Sequence, residues 1–100
     1  MSDEAKRAID ALFVVLEEER VAVRTLDGAA VARAAQAKEA FAATISSLDH
    51  AGLAPHAKEL RLLASQLRRN GILLAHARAC LREVTSIGRE TSSVRVRARV

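Results

Sequence analysis

The stretch LRLLASQLRRNGILLAHARACL, residues 60–81, decides the fold. Leucine returns every seventh residue, at Leu60, Leu67, Leu74 and Leu81, with Leu63, Ala77 and Val84 at companion positions. One companion position is polar, Asn70. A seven-residue apolar repeat is the seam of a helix that lies against another helix. Left in water, the four leucines would forgo roughly 6–12 kcal/mol, at roughly 1.5–3 kcal/mol each. This face needs a cover, either from the chain itself or from a partner.

Upstream, two shorter helical stripes offer part of that cover. Asp3 and Glu4 follow Ser2, an expected N-cap, in a first turn where the helix dipole favours anions. Ile9, Leu12, Phe13, Leu16, Val23 and Leu26 then recur at helical spacing, with Arg20 in the gap of the stripe. Asp27-Gly28 predicts a break, with Asp27 capping a second helix. Val31, Ala34, Lys38, Phe41, Ile45 and Leu48 form the second stripe. Lys38 interrupts it, and the expectation is a packed stem with its ammonium in water. Residues 49–54 read as the main turn, with Gly52 suited to a left-handed backbone and Pro55 to the first position of the next helix. The expected helices span about residues 3–25, 28–48 and 55–87. Gly88 weakens the last one. Residues 92–100 alternate apolar and basic with no second strand to pair with, which predicts a flexible basic tail that orders on a partner.

The fold class expected is all-α: an elongated antiparallel helical hairpin or three-helix, coiled-coil-like bundle, forming one domain over residues 1–91. Half the 100 residues are apolar, but alanine dominates and the aromatics are Phe13 and Phe41 alone. A core built mostly of alanine is thin, and small chains are marginal. Charge is uneven. Residues 1–50 carry six bases against nine acids, net −3, and residues 51–100 carry ten against three, net +7. Halves of opposite sign attract when folded together, and a basic second half suits an acidic partner.

Several function classes find little support in these residues. Cys80 is the one cysteine, so no disulfide forms within the chain, which fits a reducing compartment. No secretory signal is read, and no uncharged run approaches the ~20 residues of a membrane span. His76 and Cys80 share a helix face, but two ligands are short of a zinc site; a surface histidine and a small buried thiol are expected instead. Gly28, Gly52, Gly71 and Gly88 are isolated, so no phosphate-cradling loop is present. Glu17, Glu18 and Glu19 read as a solvated face rather than as acid–base groups. No catalytic residue and no cofactor are assigned. Arg61, Arg68, Arg82 and Arg89 fall in one heptad column beside Arg69, and Arg95, Arg97 and Arg99 follow. Such a stripe could track phosphates, yet that half has no aromatic side chain for stacking, so nucleic acid is disfavoured.

Asn70-Gly71 is the oddest local choice, because both residues cost stability in mid-helix. The expected role is a register-setting buried Asn beside a glycine that permits close helix approach. Asn70-Gly71-Ile72-Leu73-Leu74 also resembles the Asn-Gly-x-Leu-Leu element late in the FlgN family of flagellar export chaperones. Leu26-Asp27-Gly28, followed by Gln36, Lys38, Glu39, an Ala-Thr-Ile run and Leu48, is similar to that family as well. The resemblance covers roughly residues 9–88. It implies a helical, non-enzymatic cytoplasmic protein. Such a protein binds the C-terminal helical segments of hook-associated (FlgK/FlgL-type) proteins, keeps them unassembled and delivers them to the type III export gate. The binding region implied is the third helix and tail, and the candidate contact residues are Leu67, Asn70, Gly71, Leu74, Arg78 and Leu81. The short, basic, alternating end departs from the family's longer polar tail. A homo-oligomeric coiled coil, with the seam closed by a second copy, is the competing expectation, and a basic nucleic-acid-binding module is the third.

Overall fold

The computed structural model describes the backbone of residues 3–99 and the side chains of residues 4–83. The chain is all-helical: α1 (Asp3–Arg24), α2 (Gly28–Ser47), a single turn α3 (His50–Leu53), a 3-10 turn (Ala54–His56) and α4 (Ala57–Arg99). The expected N-cap Ser2 lies outside the described residues. Helices α1 and α2 form an antiparallel hairpin, and α4 packs along α1. The molecule measures 71 × 20 × 20 Å.

Helix α1 lies at the centre, and its sequence shows why. Ala5, Ala8, Ile9, Leu12, Val15, Leu16, Ala22 and Val23 are buried, at spacings of three and four that give two adjoining apolar rows. Together they meet both α2 and α4. Among the described residues, Ala34 of α2 and Leu63 of α4 are the other buried apolar side chains. Ile9, Leu12, Leu16 and Leu63 form the core cluster, and Phe13, Phe41, Ile45, Leu60 and Leu67 pack against it. The lower part of the leucine column is therefore covered by the chain's own hairpin.

The α1–α2 connection is two interlocked caps. The Leu26 amide donates to Val23 O (3.2 Å) and the Asp27 amide to Ala22 O (2.9 Å), the bond pair that closes a helix when the intervening residue turns left-handed. That residue is Leu26, with φ 56°, where glycine is the usual occupant. A side chain there costs about 1 kcal/mol. Asp27 then caps α2, its carboxylate accepting from the Ala30 amide at 3.0 Å.

Three backbone expectations change. Gly52 is right-handed, because Asp49 caps α3 by accepting from the Gly52 amide at 2.7 Å and draws the segment into a helical turn. Pro55 stands at the start of the 3-10 turn, and the long helix begins at Ala57. Helix α4 also continues past residue 87 and through Gly88 to Arg99. One glycine costs only about 1 kcal/mol, and a period-two segment with no neighbouring strand satisfies its backbone groups internally as helix.

Candidate functional site

Each of the three helices carries one polar residue in its apolar row: Glu19 in α1, Lys38 in α2 and Asn70 in α4. The fold brings all three into one layer. Lys38 Nζ donates to Glu19 Oε2 at 2.9 Å. Asn70 Nδ2 donates to Glu19 Oε1 at 3.0 Å and to the Leu16 carbonyl at 2.8 Å. Arg20 Nη1 closes the layer, donating to Asn70 Oδ1 at 3.0 Å and to Gln66 Oε1 at 2.7 Å. Its Nε donates to Glu17 Oε2 at 3.1 Å, and its Nη2 bonds the same carboxylate. The Arg20 guanidinium, by hydrogen bond and then by charge, holds the Glu17 carboxyl below its ordinary value. Partial desolvation opposes that shift, and Arg24 adds to it. No buried side-chain nitrogen or oxygen among the described residues lacks a partner.

This layer alters two expectations. Glu19 is not on a solvated face but 1% exposed, because it continues the Ile9, Leu12, Leu16 row. The Lys38 ammonium does not run to water, because the buried Glu19 carboxylate lies within reach of its stem. Asn70 is buried, and its partners belong to its own chain. Asn70→Ala should cost about 2 kcal/mol, since the Leu16 carbonyl keeps its helical partner while Glu19 and Arg20 each lose a bond. Urea unfolding followed by circular dichroism measures it, and a loss under ~0.5 kcal/mol would remove the layer's structural role.

The candidate contact residues divide at Asn70. Leu67 is half-buried against the core, and Asn70 is buried within the chain's own polar layer. Gly71 is exposed with open space where a Cβ would stand, so it serves no close helix approach. Leu74, Arg78 and Leu81 instead line a groove of about 260 Å³. Its remaining walls are Ala77, Val23 from the end of α1, Leu26 from the connection, and Gly28 and Val31 of α2. Leu26 and Leu81 are exposed at 70% and 52%. Leu26 was missed as a wall by periodicity, which places it as the last residue of the first stripe. The signal in the sequence is a leucine where a helix-closing glycine belongs.

The flank of α4 facing the other way is polar. Glu17, Arg20, Arg24, Gln66, Arg69 and His76 border a cleft of about 730 Å³ with Ile72 and Leu73. Arg61, Arg68, Arg69, Arg78 and Arg82 are exposed. Cys80 is exposed rather than buried, 3.8 Å from His76 Nε2, because it lies on the side of α4 turned away from the groove that Leu74 and Leu81 line. No group of three metal-ligating side chains occurs among the described residues, and no helix among them is long and apolar enough to cross a membrane. Helix α1 ends level with about residue 77 of α4, and α4 continues for roughly 30 Å beyond it, at 1.5 Å per residue. The chain matches no protein-family model, no curated protein and no solved structure.

Proposed function

We propose that this chain is a non-catalytic helix-binding protein of the export-chaperone type. Its clients are the C-terminal helical segments of hook-associated (FlgK/FlgL-type) proteins, which it keeps unassembled in the cytoplasm and passes to the type III export gate. The observation carrying this reading is the division of the leucine column. Leu60, Leu63 and Leu67 serve the chain's own core, whereas Leu74 and Leu81 line a groove open to solvent. A groove with apolar side chains spaced over two helical turns is what an amphipathic client helix needs. The Asn-Gly-Ile-Leu-Leu element at residues 70–74, which resembles the chaperone family, joins the two regions.

Co-purification with a FlgK-type C-terminal segment tests the proposal. Leu81→Asp puts a carboxylate on the groove without touching the core, and should lower capture at least tenfold with the thermal midpoint little changed. Undiminished capture would count against this surface. The length of α4 beyond the hairpin favours a second reading, a homodimer joined through α4. Light scattering separates the two, since a monomer at tens of micromolar excludes the homodimer.

A further inference from the structure

We infer that the groove beside the α1–α2 connection seats a partner helix whose leucine-type stripe is flanked by carboxylates, with Leu26 as its outer wall. This rests on the helix-binding function proposed above and adds where the client sits and what chemistry it carries. Leu74 and Leu81 are seven residues apart, about 10 Å along α4, which accommodates partner anchors at i, i+3 or i+4, and i+7. Val23, Val31 and Ala77 supply the floor.

Leu26 is the second observation. It holds a left-handed backbone that glycine would adopt freely, and its apolar side chain is largely in water. Both features count against the isolated chain, and a partner that covers the side chain accounts for them.

Charge then selects the partner. Between residues 60 and 82, α4 carries five arginines and no acid. Arg78 lines the groove, and Arg82 is exposed one turn further on. The acid nearest in sequence to Leu26, Asp27, is engaged in capping α2. Carboxylates flanking the incoming stripe would meet Arg78 and Arg82, which form no ion pair among the described residues, and this favours the right partner and speeds encounter. A second copy of this chain could offer the exposed α1 face with Val14, Val21, Glu17 and Glu18. That face has only two valines, and its Glu17 is already held by Arg20 and Arg24.

The test uses two synthetic helical peptides with the same leucine stripe, one flanked by Glu and the other by Lys, titrated into the full chain by fluorescence anisotropy. The Glu-flanked peptide should bind at least tenfold tighter, by an advantage that shrinks with salt. Leu26→Gly should weaken it about fivefold or more while leaving the thermal midpoint unchanged or raised, a combination that a purely structural residue does not give. Equal affinity of the two peptides, full affinity of Leu26→Gly, or a sedimenting dimer that the peptide fails to dissociate would each overturn the assignment. A hook-associated segment captured undiminished by Leu26→Gly removes this groove and leaves the chaperone function standing. Tight binding of the Glu-flanked peptide with no capture of any hook-associated segment does the reverse.

Discussion

Replacing Lys38 by Met is expected to destabilise the bundle by about 3 kcal/mol. The Glu19 carboxylate is 1% exposed and Lys38 is the one cation paired with it among the described residues, so the substitution leaves a buried carboxylate with one amide donor. Breaking such a pair from one side typically costs about 3–5 kcal/mol. The lower end applies because the Lys38 side chain is 24% exposed, so water can approach from the α2 side. Met keeps the length of the stem, so packing changes little. Urea denaturation by circular dichroism gives the loss directly. Adding Glu19→Gln to Lys38→Met should recover most of it, since an amide still accepts from Asn70 without a charge to neutralise. A single-variant loss under ~1 kcal/mol, or no recovery in the double variant, would mean that the layer is wet and of little energetic weight.

The second large effect is expected for Leu16→Ala, at about 3–4 kcal/mol. Leu16 is fully buried at the centre of the cluster with Ile9, Leu12 and Leu63, and its carbonyl also receives Asn70. Leucine-to-alanine changes in cores cost about 2–5 kcal/mol, more where neighbours cannot collapse into the space. Here the neighbours Ile9, Leu12 and Leu63 are themselves held in the cluster, with Phe13, Phe41 and Leu67 packed against it. In a domain of this size each kcal/mol lowers the melting midpoint by about 4–8 °C, so a fall of roughly 15 °C or more follows. Leu62→Ala, on the exposed side of α4, is the control and should change stability by no more than ~0.5 kcal/mol. Equal effects at 16 and 62 would contradict the packing described.

Much of this fold was legible in the sequence. The first two helices end within a residue of where the apolar rows and the Asp27 cap place them, because capping and periodicity are local signals. The all-helical, elongated form follows from the same rows. The end of the third helix was not legible, since alternating valine and arginine is a strand pattern only when a neighbouring strand exists to pair with it. The polar layer was half visible. Asn70 is conspicuous in a leucine column, but Glu19 hides among three consecutive acids that have the composition of a wet surface. Position rather than charge identifies it: residues 9, 12, 16, 19 and 23 form one row. Lys38 was conspicuous too, but a lysine stem can run to water or to a buried acid, and only the third dimension chooses. Of the candidate contacts, periodicity gives Leu67, Leu74 and Leu81 equal standing. Where the hairpin stops along α4 is a tertiary fact, and it separates them.

The interlocked caps at Leu26 and Asp27 also bear on the order of assembly. They join α1 to α2 across a three-residue link, and the hairpin partners are close neighbours in sequence. Asn70, by contrast, must find Leu16 and Glu19 across separations of 54 and 51 residues. Closing a longer loop costs more entropy before any contact repays it, so the expected order is the hairpin first and α4 docking onto it, which pulse-labelling hydrogen exchange would check. A nascent chain would thus present one finished helical pair, with an acid and a lysine already matched, to which the long helix is added last.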